Sequence, residues 1–403
     1  MEINLTNLNC IFPENLDLHE LKKEKTTKIF HETAILFLDR LSKKLLEHEE
    51  ARLFPDVSTF GFFCRKANIL KIQRQYDESE IRVGRGITFH ISPSNVPLNF
   101  AYSLISGLLS GNINIVRLPS NNFRQVEIIA EAIKAIALKK EFTEVTKRIV
   151  LLQYQRGSDF TQLFSSICDI RVIWGGDTTV NQIRESPLKA KAYDITFVDR
   201  YSFCIIRAEE LVKKENLDGI IKGFYNDTYL LDQNACTSPH LIIWQGEDSV
   251  IKVAKEKFWS KLKVFLEEKN TETPPVVAIN KLVNFYRQAM DLSEIKLVDV
   301  EHNSLWRVDL KKKITNLENY RCTSGYFSEL NVQSLADIED LINEKYQTLS
   351  YFGFSKEELS AFISDHQLPG IDRVVPIGQT LDFNFKWDGF DLIYQMSRTC
   401  TVR

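Results

Sequence analysis

Through residues 86–206 of this 403-residue chain, short apolar runs alternate with longer stretches whose apolar positions recur every three to four residues. Gly86-Ile87-Thr88-Phe89-His90-Ile91 is rich in β-branched and aromatic side chains and reads as a strand. A loop stiffened by two prolines follows, Ser92-Pro93-Ser94-Asn95-Val96-Pro97, and then an apolar helix over 98–109 that Gly111-Asn112 stops. The next strand is 113–117; Leu118-Pro119-Ser120 leads to a helix that Asn121 or Asn122 caps and that runs to about 138. Strands at 147–153 and 169–174 flank a helix over 158–167, and Gly175-Gly176-Asp177 turns the chain into a helix over 178–185. Strands at 195–198 and 202–206 complete the set. Strands alternating with helices predict an α/β fold with a parallel sheet covered on both faces, which binds ligands outside the carboxyl ends of its strands.

The flanking regions extend this pattern. Residues 15–50 read as helical, with apolar Ile29, Ile35, Leu36, Leu38 and Leu41; 51–80 hold an aromatic cluster (Phe60, Phe62, Phe63) and a helix near 67–76. A second α/β domain is predicted from about Ala208, with helices at 209–231, 249–268, 280–290, 335–344 and 356–365. Its strands fall at 240–244, 297–300, 306–308 and 350–354, with a turn at Pro274-Pro275 and an edge strand at 397–402. The division is 1–207 for the N-terminal helices and a first α/β domain, 208–370 for a second, and a tail, 371–403, expected to return to the first.

Composition narrows the function classes. With 51 basic and 54 acidic residues the net charge is -3, so no electrostatic footprint for nucleic acid is present. The start lacks a basic segment followed by an apolar run, and the apolar stretch 96–109 is broken by Asn99, Ser103, Ser106 and Gly107; neither a signal peptide nor a membrane span is read, and a cytoplasmic protein is the expectation. The seven cysteines are scattered without a Cys-x-x-Cys pair, which argues against a disulfide framework and against a metal site.

Among them Cys236 stands apart. It lies in Asp232-Gln233-Asn234-Ala235-Cys236-Thr237-Ser238-Pro239, a polar segment between a predicted helix and a predicted strand, where a side chain is held still yet reachable. Taken alone, a cysteine between elements is more often structural than nucleophilic. The Gly175-Gly176 turn before a helix suits a phosphate, though a Gly-Gly in that position is more often only a tight turn, and there is no Gly-x-Gly-x-x-Gly.

Together these segments resemble the aldehyde dehydrogenase superfamily and, within it, the LuxC-type long-chain fatty acyl-CoA reductases of bacterial luminescence operons. Pro93-Ser94-Asn95-Val96-Pro97 resembles the segment whose asparagine forms the oxyanion hole. Gly111-Asn112 with Arg117-Leu118-Pro119-Ser120 resembles the cofactor segment, and Gln233-Asn234-Ala235-Cys236 the nucleophile segment, with Asp232 where a glycine is usual. Trp174-Gly175-Gly176-Asp177, Ser324-Gly325-Tyr326-Phe327 and the tail with Trp387-Asp388-Gly389 are the LuxC-like marks. The resemblance implies Cys236 and Asn95 as catalytic residues. It implies cofactor contacts at Ser92, Pro93, Arg117, Pro119, Ser120, Gly175, Gly176, Asp177 and Val180. Arg117 replaces the usual lysine and suits a 2′-phosphate, so NADPH is the expected cofactor and NADH the alternative.

Two departures shape the expected chemistry. Phe197, in Thr196-Phe197-Val198-Asp199-Arg200, stands where hydrolytic members carry the glutamate that activates water, and the glutamate that holds the nicotinamide ribose has no clear match in 322–330. A thioester on Cys236 would then resist water and await hydride, which predicts reduction of an acyl-CoA or acyl-protein to the aldehyde. Oxidation of a free aldehyde and a non-redox acyl-holding subunit are the alternatives. The resemblance also implies an acyl-protein synthetase as partner, and homo-oligomers are common in the superfamily.

Overall fold

A computed structural model of the chain describes residues 8–77, 79–155, 157–269, 274–292 and 294–402. They divide into two compact units, Met1–Val198 with Phe390–Arg403, and Asp199–Gly389.

The first unit is built on a six-stranded sheet. Its strands are β1 (Asn9–Phe12), β3 (Ile87–Ile91), β4 (Ile113–Arg117), β5 (Ile149–Gln153), β6 (Ile170–Trp174) and β7 (Tyr193–Phe197), in the order β1-β5-β4-β3-β6-β7; β2 (Arg82–Gly84) pairs instead with Ser397–Thr399. All neighbours are parallel except β1 against β5. The chain steps outward from β3 through β4 to β5, then crosses to the other side of β3 for β6 and β7. The strand order therefore reverses between β3 and β6, the place where such sheets open a crevice for a nucleotide.

The helix expected over 15–50 is two, Leu18–Lys23 and Glu32–Glu47. Between them the chain hydrogen-bonds to other backbone: Thr27 N–H donates to Gly111 O at 2.9 Å, and Gly84 N–H to Thr27 O at 2.9 Å. The approach is so close that a Cβ on Gly111, whose φ is +82°, would stand 2.1 Å from Thr27 O. Only glycine fits there. Glu32–Glu47 buries Ala34, Ile35, Phe37, Leu38, Leu41 and Leu45, one face of a helix.

The second unit carries a seven-stranded sheet: β8 (Tyr201–Arg207), β9 (Pro239–Gln245), β10 (Ile295–His302), β11 (Leu305–Leu310), β12 (Tyr326–Val332), β13 (Tyr346–Phe352) and β14 (Arg373–Pro376). The order is β10-β11-β12-β9-β8-β13-β14, parallel apart from β10 against β11. β8 was read as closing the first domain; it lies inside this second sheet, bonded to β9 and β13, and so the second unit begins at Asp199. The predicted helix over 209–231 is broken into Ala208–Lys213 and Asp218–Tyr229, and Pro274-Pro275 is a helix start, with Pro275 opening Pro275–Asp291. The stretch 335–344 forms a 3₁₀ helix, Leu335–Leu341. One sheet face packs Phe203, Ile205, Leu241, Ile243 and Tyr326; the other packs Cys204, Ile242, Trp244, Phe258 and Trp259.

Candidate active site

The segment before β9 is a tight loop whose shape is set by Asp232 and Gln233, both left-handed with φ of 49° and 59°. Two consecutive non-glycine residues there are strained and persist only where surroundings hold them. Gln233 is buried and uses its whole amide. Its Nε2 donates to Pro239 O at 2.9 Å and Tyr326 O at 3.1 Å, and its Oε1 accepts from the N–H groups of Gly325 (2.9 Å) and Tyr326 (3.1 Å). Ser324 Oγ donates to Asp232 Oδ2 at 2.8 Å. The loop is therefore fastened to the entry of β12, which joins two of the segments singled out in the sequence. Ser238 Oγ donates to Asp227 O at 2.7 Å, and Ser202 Oγ on β8 to the carbonyl of Cys236 at 2.6 Å.

Cys236 is half-buried, whereas Cys64, Cys168 and Cys204 are buried. Its thiol is pushed up to about 12, first by desolvation and then by the charge of Asp388, against weaker opposing effects that include Arg321 and Arg200. The resting side chain is a protonated thiol. His240 offers it no base: its Nδ1 pairs with Cys322 O at 3.0 Å, its ring stacks on Tyr201 at 5.7 Å, and burial pushes it down to about 3.

Of the tail 371–403 expected to return to the first domain, only Phe390–Arg403 does; β14 pairs with β13, so residues up to Gly389 belong to the second unit, where charged side chains fix them. Asp227 accepts from Gly378 N–H (2.6 Å) and Thr380 N–H (3.0 Å); Arg373 donates to the carbonyls of Thr380, Gln379 and Asp382 at 2.6–2.9 Å and lies 4.7 Å over the Trp387 ring. Arg200 pairs with Asp372. Asp388, left-handed at φ 49°, keeps a buried Oδ1 that has no hydrogen-bond partner among the described residues. Burial pushes its carboxyl up to about 7, with Asp372 adding to the rise and Arg200 and Arg373 opposing it.

In the first unit the predicted cofactor residues gather at the carboxyl ends of β3, β4 and β6. Ser92 follows β3, Arg117 ends β4 opposite Ile91, and Gly175-Gly176 follow β6, whose Ile173 pairs with Ile91. The Ser92 Oγ is buried without a hydrogen-bond partner among the described residues, and Gly176, with no side chain of its own to cap the turn, precedes the helix Asp177–Arg184. An unmatched hydroxyl and an open helix N-terminus on either side of the strand reversal are donors of the kind a dinucleotide takes. The residues fit such a group. Arg117 donates to Tyr154 O at 3.4 Å, and its guanidinium lies 4.7 Å from the Tyr154 ring centroid. Pro93 is half-buried, Ser120 and Asp177 are exposed, and Asn95 is exposed in its loop. Val180 and Pro119 lie elsewhere in character: Val180 is 2% exposed within the core beneath the sheet, and Pro119 is buried with its carbonyl accepting from Gln153 Nε2 at 2.9 Å. Asn112 is also structural, its Oδ1 accepting from Arg85 and Gly86 N–H and its Nδ2 donating to Met396 O.

The family model described as "LuxC: Acyl-CoA reductase (LuxC)" matches residues 65–399. The chain belongs to this family. LuxC relatives carry the same label of reaction: a "Long-chain acyl-protein thioester reductase" of Vibrio harveyi is 24% identical over 73% of this chain and 59% of its own, and one of Aliivibrio fischeri is 24% identical over 41% and 33%. The chain thus spans less than two thirds of the length of these relatives. Solved structures agree on the fold. Lactaldehyde dehydrogenase from Escherichia coli superposes with a TM-score of 0.65 at 12% identity, covering 92% of this chain and 86% of that one. Aldehyde dehydrogenase 21 from Physcomitrella patens gives 0.64 at 12% identity over 94% and 86%. The aldehyde dehydrogenase-like α/β fold expected from the sequence is therefore present in this LuxC family member.

Sequence reasoning passed over two residues of the second unit. Asp388 lies inside a quoted motif without a role, because Arg200, Asp372 and Arg373, whose charges act on it, come from elsewhere in the chain. The role of Gln233 as clamp was equally hidden, its partners being more than 90 residues away at Gly325 and Tyr326.

Proposed function

We propose that this protein reduces a long-chain acyl thioester, acyl-CoA or acyl-protein, to the fatty aldehyde with NADPH or NADH, and that the acyl group passes through a thioester on Cys236. The observation that carries the reading is the Gln233-clamped loop, which holds one partly exposed thiol in a chain of the LuxC family. The thioester reductase relatives support the reaction class.

In this reading the Cys236 sulfur attacks the thioester carbonyl, the donor thiol departs, and an S-acyl enzyme remains. The backbone N–H of Cys236 serves the developing oxyanion, a donor worth roughly 3–4 kcal/mol, and the family resemblance gives the amide of Asn95 the same task. Ser92, Gly175, Gly176 and Arg117 hold the nicotinamide cofactor, and Arg117 favours the 2′-phosphate of NADPH. When bound, the reduced cofactor supplies the hydride that turns the thioester into aldehyde. Phe197 stacks on Trp174 with ring centroids 3.6 Å apart, an apolar side chain that cannot activate water. The S-acyl enzyme therefore persists until reduced, which favours reductase over aldehyde oxidase chemistry. An acyl-protein synthetase as donor belongs to the same proposal.

The test is to incubate the protein with tetradecanoyl-CoA and NADPH, trapping the aldehyde as a hydrazone. Aldehyde forming in step with NADPH loss, and neither with Cys236→Ala, supports the reading. Turnover by Cys236→Ala overturns it.

A further inference from the structure

Arg148 stands immediately before β5 and is only 2% exposed. A guanidinium keeps its charge when buried, and one taken out of water without a carboxylate is costly. Arg171, equally hidden at 1%, has such a partner: its Nε donates to Asp194 Oδ1 at 2.7 Å and its Nη2 to Asp194 Oδ2 at 3.1 Å. Arg307 is paired in the same way with Glu329. Arg148 has no ion pair among the described residues. Its Nε donates to Glu144 O at 3.1 Å and its Nη1 to Thr27 Oγ1 at 2.9 Å, both neutral acceptors. Nη2 makes no hydrogen bond among the described residues, and it is not sealed in by protein.

The space beside it is a cavity of about 400 Å³, walled by Arg148 and by the segment that joins the helices Leu18–Lys23 and Glu32–Glu47. Other donors share the wall. Lys25 is exposed and has no ion pair among the described residues. His31 Nδ1 accepts from the Thr33 N–H at 3.3 Å, which leaves the ring hydrogen on Nε2. Lys23, Lys25 and Arg148 against the carboxylates of Glu24 and Glu144 leave the wall positive, and Glu144 is drawn outward to Lys147 at 3.7 Å. The cavity lies where the strands begin: Gly111, before β4, accepts from Thr27 N–H at 2.9 Å, and Arg148 O accepts from Asn114 N–H at 2.8 Å. The cofactor residues gather at the opposite, carboxyl ends, a five-residue strand or about 17 Å away.

We propose that this cavity is a second anion site, separate from the cofactor site, in which Arg148 and Lys25 hold a phosphate group. The open Nη2 supplies a charge-assisted hydrogen bond to one oxygen. A tetrahedral phosphate has further oxygens for Lys25 and the His31 Nε2–H, more than a carboxylate offers. The bound anion ties the segment 24–33 to the start of β5, so it acts on the stability of the first unit. Its source is inorganic phosphate or a small phosphate ester, which share this chemistry.

The test is thermal melting of the full chain in inorganic phosphate against chloride at equal ionic strength. Wild type should melt higher in phosphate, with a shift that saturates as the site fills. Arg148→Gln should lose the shift. Lys25→Gln, an exposed change that leaves the fold intact, should need roughly tenfold more phosphate for the same shift. Arg117→Gln, at the cofactor end, should keep the wild-type response. A parallel titration with glycerol 3-phosphate separates the sources: saturation at lower concentration than phosphate assigns the site to an ester, and saturation at the same or higher concentration to the free anion. No shift in wild type, an equal shift in Arg148→Gln, or loss of the shift in Arg117→Gln overturns the proposal. Should Arg148→Gln fail to fold, Lys25→Gln decides, and an unchanged phosphate dependence there overturns it equally.

Discussion

Gln233 holds the loop of Cys236 with four hydrogen bonds, and none of them was visible in sequence order. Its partners at Pro239, Gly325 and Tyr326 meet it only once β12 lies beside β9. Gln233→Met keeps the volume but leaves two N–H groups and two carbonyls buried without it. The expected cost is about 3 kcal/mol, at 1–3 kcal/mol for each orphaned group with partial relaxation. A thermal melt should show it as a lowered transition, and an unchanged melt would deny the clamp. Asn95 and Cys236 stand as candidates on the order of the family's motifs in the sequence, and the proposed acyl chemistry is what gives them roles. His240, four residues after the cysteine, has its Nδ1 engaged by Cys322 O. If Asn95 serves the oxyanion as proposed, Asn95→Asp should lower kcat for aldehyde formation by roughly 10²–10³ with little change in KM, since a carboxylate repels an anion. A change confined to KM would assign Asn95 to binding instead.

At the scale of elements, alternation of strand and helix was readable because central strands such as β3 and β9 are mainly apolar runs with parallel neighbours. What escaped were interruptions imposed from a distance. The helix over 15–50 breaks because Thr27 is needed between Gly84 and Gly111, and β1 was overlooked because four residues give little periodicity. The second sheet also contains a charge that no pattern announced. Glu329 on β12 accepts from the indole N–H groups of Trp244 (2.9 Å) and Trp259 (2.7 Å), and pairs with Arg307 on β11 at 2.8 Å. Its burial makes it a structural rather than a cofactor-holding glutamate. Glu329→Ala strands a guanidinium and two indole donors and should cost about 3–5 kcal/mol. Calorimetry would show a large drop in the melting transition; a loss under about 1 kcal/mol would mean that solvent reaches the site.

Over the whole chain, the two-sheet organisation followed from the pattern, while the boundary fell at Asp199 instead of Ala208 because β8 reads alike in either sheet. Stability should depend on pH through the buried groups. Asp388 is raised to about 7 in the folded state, so its contribution is fully present below the ordinary carboxylate range and is lost as pH rises through 7. Wild type should therefore melt lower at pH 8 than Asp388→Asn does relative to pH 6, while His240, neutral in both, cancels from the comparison. Parallel melting curves would contradict this. The central claim, that Cys236 carries the acyl group, is tested most directly by mass spectrometry after incubation with tetradecanoyl-CoA and no reductant. The account expects one tetradecanoyl group on the peptide containing Cys236, stable in water and discharged as aldehyde when NADPH is added. An acyl group on another cysteine, or none on wild-type protein that still makes aldehyde, would contradict it.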